Sequence, residues 1–330
     1  MKRFLTVLAT LQVAFLFTTS KASVPKEQAF ADDKVLNSVV RILYAADKDG
    51  KNGLFSGTGS IIGKGIVNGN YMLCLLTADH VLTDDWGDLD KGLAFAFGNA
   101  KPPGNSDGTL LDTKLIFRWG PDKKKPWDLA VAGAKVSKED FDKALVRELA
   151  IEKNDKAEFT LVGFGLTGEK YVGDPRGAYD MEAKSSGTQR WMNNKRVSIT
   201  ADFTPNYKYN KIKYVFNNME WQLNPSEGLN KGDWVAGEGY SGKGDSGAPY
   251  FSSGRDAEGK PFTDKIIGVH AWGQERQGLI LWGAAAGGVS FTDTEVKWIQ
   301  EKCAAIVPEP ATILVLATFV GGYLLRRAKK

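Results

Sequence analysis

The run Gly242-Lys-Gly-Asp-Ser-Gly-Ala-Pro-Tyr-Phe251 constrains this chain more than any other stretch. Gly242, Gly244 and Gly247 fit the G-x-G-x-x-G spacing of a dinucleotide-binding turn, which needs a strand before it and a helix after it. Pro249 stands where the early turns of that helix would form. Proline there removes a backbone donor and clashes with the preceding turn. Tyr250 and Phe251 continue instead as an extended apolar run. The nucleotide reading fails, and no cofactor or metal is expected. What remains is a glycine-rich loop running into a strand. Such a loop turns sharply and leaves amides facing a bound group. Ser246 is then placed as a nucleophile, with the N–H groups of Gly244 and Ser246 as oxyanion donors. The plainer alternative is a Gly-Asp-Ser turn with no chemistry.

The rest of the chain suits that loop. Short β-rich runs broken by glycines begin at Val39-Val-Arg-Ile42, recur at residues 55–62, 71–77, 93–97 and 110–119, and include the strand opened by Asp128-Leu-Ala-Val131. Further runs cover residues 159–168, 196–203, 209–223, 265–273 and 287–291. This pattern predicts an all-β barrel or sandwich. A charged, helix-like segment over residues 137–152 would link two lobes, and residues 171–194 read as a polar surface insertion. A closing helix is expected over residues 293–302, with Val296, Trp298 and Ile299 on its apolar side.

The 330 residues suffice for one large domain or two modest ones. The formal net charge of +4 comes from the ends of the chain. Setting aside Lys2, Arg3, Lys21, Arg326, Arg327, Lys329 and Lys330 leaves 36 basic residues against 39 acidic. No basic footprint for nucleic acid remains. Two cysteines, Cys74 and Cys303, cannot make a disulfide framework. Cys74 lies in an apolar run and reads as a buried thiol, and a bridge to Cys303 is the less favoured option.

His80 is one of only two histidines, and it follows the apolar run Leu75-Leu-Thr-Ala-Asp79. Asp128 stands at the start of an apolar strand, where an isolated Asp would be a strand cap. With Ser246 these residues give the order His, Asp, Ser. The residues around His80, Trp127-Asp-Leu-Ala-Val131 and Gly-Asp-Ser-Gly-Ala-Pro together resemble the three motif sites of the trypsin-like (chymotrypsin-fold) serine peptidases, over roughly residues 39–300. The resemblance implies two six-stranded antiparallel β-barrels with a C-terminal helix: an N-lobe over about residues 35–136, a linker over 137–155 and a C-lobe over 156–303. It implies His80, Asp128 and Ser246 as a catalytic triad acting on protein or peptide substrates. It also implies Tyr240 and Ser241 at the base of the specificity pocket, with His270, Trp272 and Gly273 on its walls. A histidine like His270 beside a hydroxyl resembles the glutamyl endopeptidases and implies a preference for acidic residues.

The chain departs from the family pattern in several places. Asp79 replaces a small residue, Val81 and Gly242 replace cysteines, and Ala271 replaces a serine. No Ile-Val-Gly-Gly start precedes Val39, so Asp245 needs a partner other than a new amino terminus. The competing function is a binding protein on the same fold. An esterase is disfavoured, because Gly-x-Ser-x-Gly is absent around Ser246.

Both ends of the chain read as addresses. Residues 1–22 have a basic start, an apolar stretch and a Ser-Lys-Ala cleavage signal, which is a secretory signal peptide. Residues 307–330 hold Pro308-Glu-Pro310, an apolar run to Leu325 and a basic end. As a helix that run rises about 22 Å, short of the ~30 Å hydrocarbon core. This order resembles the PEP-CTERM sorting signal, whose family implies cutting by an exosortase-type enzyme after transient membrane association. The mature form would then be periplasmic, at the cell surface or extracellular. A permanent C-terminal anchor is the alternative.

Overall fold

The computed structural model describes residues 37–45, 53–83, 88–89, 92–98, 108–120, 127–154, 156–165, 167–171, 178–182, 189–204, 214, 216–222, 240–255, 261–274, 279–281 and 284–308. The expected leader at residues 1–22 and the expected sorting segment beyond residue 308 lie outside the described residues. Among the described residues, no helix is long and apolar enough to cross a membrane.

Six strands build the first barrel: β1 (Val39–Ala45), β2 (Gly53–Val67), β3 (Asn70–Thr77), β4 (Ala94–Ala96), β5 (Thr109–Arg118) and β6 (Ala130–Val136). They close in the order β1-β2-β3-β6-β5-β4. The runs at 55–62 and 71–77 are parts of one long hairpin. Its turn is Asn68-Gly69, with φ of 50° and 75°, bracketed by the pair Val67 and Asn70. Two positive φ values match the twist of the flanking strands, and Asn-Gly adopts them with least strain. The run Met72-Leu-Cys-Leu-Leu76 does not alternate, and all of it is buried. Both faces of β3 are covered, so neither selects for polar residues.

The second barrel follows α1 (Lys138–Lys143) and β7 (Glu148–Leu149). Its region contains β8 (Glu158–Gly163), β9 (Thr167–Tyr171), β10 (Ala178–Glu182), β11 (Arg190–Phe203), β12 (Phe216–Gln222), β13 (Pro249–Arg255), β14 (Pro261–Gly273), β15 (Leu279–Leu281) and β16 (Ala285–Ser290). The order β13-β8-β11-β12-β16-β14 closes into a barrel through the β13–β14 pairing. The chain is therefore all-β, with two closed six-stranded antiparallel barrels and a C-terminal helix α2 (Asp293–Ile306).

Three local expectations need correction. The helix-like linker is helical only over α1, where the Ser137 hydroxyl accepts the Asp140 N–H at 3.0 Å. Beyond it the chain is extended, because the barrels take its amides one by one. Leu145 donates to Asn37 O, Arg147 to Ile61 O and Ala150 to Ile266 O. β7 then adds in parallel to β14. The insertion at 171–194 is also not all surface. β9 and β10 form a small sheet with β15, and Met192, Asn193 and Asn194 on β11 are buried in the barrel. The closing helix runs four residues further than expected, so Cys303 lies inside it.

α2 begins with a capping box between Thr292 and Glu295, which satisfies its first amides. It packs not on the barrel it follows but back on the first one. Trp298 meets the edge of Trp119 at 4.8 Å. A Cβ on Gly133 of β6 would sit 3.0 Å from Ile306. Ile299 is fully buried in the core that α2 shares with the first barrel. Truncating Ile299 to Ala should therefore cost about 2–5 kcal/mol. Urea melts of the two proteins would read this loss, and a difference under about 1 kcal/mol would mean that α2 is a loose appendage.

Candidate active site

The site grows from one register. β3 and β6 are antiparallel neighbours, with Thr77 opposite Ala130. The end of one strand and the start of the other thus open on the same rim of the barrel. His80 lies three residues past Thr77, on a single 3-10 turn. Asp128 lies two residues before Ala130. The two meet there. Asp128 Oδ2 accepts from His80 Nδ1 at 2.7 Å, and Asp128 Oδ1 accepts the His80 main-chain N–H at 3.0 Å. Asp128 is fully buried, while the His80 side chain keeps 17% of its surface open. The carboxylate thereby holds the proton on Nδ1 and leaves Nε2 as the basic nitrogen. Burial works against the imidazolium, but the Asp128 charge and hydrogen bond, with Asp79 behind them, outweigh it and raise the His80 pKa above 6.5.

Asp79, noted in the sequence only as a departure, is fully buried. It accepts from Arg118 Nε at 2.6 Å and from the second guanidinium nitrogen at 2.7 Å. Arg118 is opposite Ala130 on β5, so the same register that places Asp128 brings this cation to the rim. Burial pushes the Asp79 carboxyl up, and the bidentate guanidinium opposes that shift. The Tyr214 ring stands edge-on to the His80 ring at 6.3 Å. Its hydroxyl is 3.4 Å from that of Thr83.

Ser246 reaches this rim through its backbone. The Ser246 carbonyl accepts from Thr58 N at 2.8 Å. A Cβ on Gly57 would lie 2.7 Å from Ser246 O and 2.8 Å from Val81, so a glycine separates the serine loop from the histidine turn. Thr58 Oγ1 donates to Gly244 O at 2.9 Å and accepts from Phe164 N at 3.2 Å. Thr77 Oγ1 donates to Thr58 O at 2.7 Å. Gly244 and Gly247 have φ of 97° and 83°, which only glycine adopts freely. Among the described residues, the loop amides of Asp245, Gly247 and Ala248 donate inward. Those of Gly244 and Ser246 have no such bond there.

Asp245 has the partner that the sequence left open. Its carboxylate accepts Gly165 N at 2.7 Å and Gly242 N at 2.8 Å. Gly163 and Gly165 are glycines for this reason, since a Cβ on either would strike the Asp245 carboxylate. Thr58, Thr77, Arg118, Tyr214 and this glycine pair are site residues that sequence reasoning missed. Only Gly163-Phe-Gly165 carried any local signal.

Of the expected pocket residues, Tyr240, Ser241 and Gly273 come together. A Cβ on Gly273 would sit 3.1 Å from the Tyr240 hydroxyl and 3.3 Å from Ser241 Oγ. The Tyr240 hydroxyl accepts from Gln274 N at 2.6 Å and donates to Ala285 O at 2.6 Å, so its polar end is spent on the backbone. Trp272 Nε1 donates to Asn218 Oδ1 at 2.9 Å, and its ring stacks on Phe203 at 5.3 Å. His270 is buried, and its backbone pairs with the serine loop through Gly247 N and Ala248 O. Trp221 Nε1 can only donate, and it reaches the Tyr250 hydroxyl at 3.3 Å. The Tyr250 proton is then free for His270 Nδ1, at 2.7 Å. That leaves His270 neutral, with its proton on Nε2. Burial, helped by His80 nearby, lowers its pKa to about 3. Between about pH 3 and 6.5 the unfolded chain binds more protons at His270 than the fold does, so this group adds stability as pH rises through that window. Among the described residues, no group of three or more His, Cys, Asp or Glu side chains could hold a metal ion.

No family model and no curated protein matches the chain. Similar solved structures include protease Anisep from Arthrobacter nicotinovorans, 11% identical with a TM-score of 0.47, covering 86% of this chain and 99% of that one. The active form of the Rv3671c protease from M. tuberculosis is 13% identical with a TM-score of 0.46, covering 92% and 96%. Human heparin binding protein is 12% identical with a TM-score of 0.46, covering 82% and 93%. At these identities the likeness is one of overall fold alone.

The Asp245 cradle yields a test away from His80, Asp128 and Ser246. Gly163→Ala should displace the carboxylate and shift the serine loop while leaving His80, Asp128 and Ser246 in the chain. A misplacement near 1 Å costs about 10²-fold in rate. Peptidase or ester hydrolysis by the folded variant would be compared with wild type, and an unchanged kcat would mean that Asp245 does not set the loop.

Proposed function

We propose that this chain is a serine endopeptidase that cleaves peptide bonds through an acyl-enzyme. The observation that carries the reading is a buried Asp128 gripping both Nδ1 and the main-chain N–H of a partly exposed His80, on the rim where the Ser246 loop docks. In this mechanism Ser246 Oγ attacks the substrate carbonyl carbon as His80 Nε2 takes its proton. The carbonyl oxygen becomes an oxyanion, and the N–H groups of Gly244 and Ser246 supply donors to it. His80 then returns the proton to the departing amine. Water, activated by the same nitrogen, releases the acyl group and restores Ser246. Asp128 stabilises the imidazolium and keeps its tautomer without taking the proton.

An acidic preference before the scissile bond is the finer part of the proposal. Tyr240 closes the pocket base with an aromatic ring. In this reading the His270 Nε2–H and the Ser241 hydroxyl are the donors, and two neutral donors suit a carboxylate better than a cation. We also infer export and tail removal, on the sequence of the two ends alone.

Several measurements bear on these statements. Ser246→Ala and His80→Ala should each lose at least about 10⁴-fold in kcat/KM on a peptide substrate, and Asp128→Asn about 10⁴-fold, with unchanged circular dichroism. Because His80 must be neutral to accept a proton, wild-type kcat/KM should rise with pH through a midpoint above 6.5. A fluorophosphonate should label Ser246. A folded chain that neither labels nor cleaves would instead support the binding-protein reading. Peptides differing only in Glu, Phe, Ala or Arg at the cleavage position test the preference, which fails if Glu is not favoured.

For sorting, intact mass from a host carrying an exosortase-type enzyme should lack residues beyond the Pro308-Glu-Pro310 motif. A retained tail would indicate a permanent anchor.

A further inference from the structure

The molecule's two cysteines come from distant parts of the chain and meet at one glycine. Cys74 is on β3, directly opposite Gly63 on β2. Cys303 is on α2, which lies over that face of the first barrel. A Cβ built on Gly63 would lie 2.5 Å from Cys303 Sγ and 3.3 Å from Cys74 Cβ. The Cys303 sulfur therefore fills the space that any side chain at position 63 would need, and glycine is what admits it. The Cys303 side chain lies close enough to Cys74 to help raise its thiol pKa. Both are free thiols here.

We propose that Cys74 and Cys303 are a disulfide site, and that closing it ties the C-terminal helix to the strand that leads into His80. The chain holds no third cysteine to compete for either partner. The inference stands on this packing and does not depend on the proposed peptidase chemistry.

The two sulfurs have unequal roles. Cys303 is partly buried and Cys74 is fully buried. Burial first, and then the neighbouring Cys303, pushes the Cys74 thiol up. Cys303 is thus the sulfur that meets an external disulfide. Its thiolate attacks, one small thiol leaves, and a mixed disulfide forms on α2. The Cys74 thiolate then attacks Cys303 Sγ and expels the second small thiol. In sum, two cysteine thiols are oxidised to one S–S bond, and the external disulfide takes both electrons and both protons as two thiols. The second step is the slow one, because little of Cys74 is thiolate at neutral pH.

The ring so closed spans most of the chain, including the whole second barrel. A long loop removes more freedom from the unfolded state than a short one, so the bond favours the fold. Its native geometry is already set by β3 and α2, both among the best packed elements of the first barrel.

The test uses full-length protein purified with reductant and then incubated with glutathione disulfide. After alkylation and digestion without reductant, mass spectrometry should find one cross-linked peptide pair containing Cys74 and Cys303. The protein should run as a monomer on a non-reducing gel. The oxidised form should melt about 5–10 °C above the reduced form, and Cys303→Ser should show no such shift. Cys303→Ser exchanges sulfur for oxygen at a partly buried position, so it should fold. Gly63→Ala retains both thiols but pushes Cys303 away, and should slow closure markedly. A stable glutathione adduct on Cys303, a Cys303-linked dimer, or equal melting of oxidised and reduced protein would each overturn the proposal.

Discussion

Thr58 hydrogen-bonds three separate segments. Its hydroxyl donates to Gly244 O in the serine loop and accepts from Phe164 N in the second barrel, while its carbonyl accepts from Thr77 on β3. Its own N–H donates to the Ser246 carbonyl. Each bond alone is worth about 1 kcal/mol net. Together they fix the Ser246 loop against the strand that leads to His80. A loop rich in positive-φ glycines has no rigidity of its own, so its position is set from outside. The position of the Ser246 loop therefore depends on Thr58, a residue of the first barrel.

The same logic governs the buried charges. Three carboxylates, Asp79, Asp128 and Asp245, lie in or beside the rim with little or no exposure. Burying an unpaired charge is prohibitive, and each finds a different remedy. Asp245 accepts backbone amides, at positions where glycines bring the chain close. Asp79 takes a bidentate guanidinium. Asp128 takes the histidine ring and its backbone. Two acids near one imidazole raise its basicity, and Arg118 offsets part of that effect by neutralising Asp79. The opposite environment surrounds His270, where an aromatic cluster and a tyrosine hydroxyl keep the ring neutral. One fold thus holds two histidines on opposite sides of their ordinary pKa by the groups packed against them.

The barrels are joined by more than the serine loop. The segment after α1 runs extended along both, giving amides first to Asn37 and Ile61 and then to Ile266. α2 leaves the second barrel and packs on the first. These two crossings make the relative placement of His80 and Ser246 a property of the whole chain. They also explain why β3 and β6 carry apolar or small residues on both faces: barrel core on one side, helix on the other.

Much of this was legible in the residues themselves. Glycine-punctuated β runs predicted an all-β chain, and Pro249 ruled out a helix after the serine loop. The order of His80, Asp128 and Ser246 named the candidate residues. The Asn68-Gly69 turn went unread, although Asn-Gly is the pair that such a hairpin favours. These are local facts, because backbone sterics and side-chain period act over a few residues. The linker failed for the same reason: its charges favour a helix, but tertiary hydrogen bonds to Asn37 and Ile61 compete for its amides and win. Asp245 with Gly165, Asp79 with Arg118, and Cys74 with Cys303 are pairs separated by long stretches of chain. No propensity links such residues. Strand register and barrel closure alone decide that they meet, because only the folded sheet converts a position along the chain into a position in space.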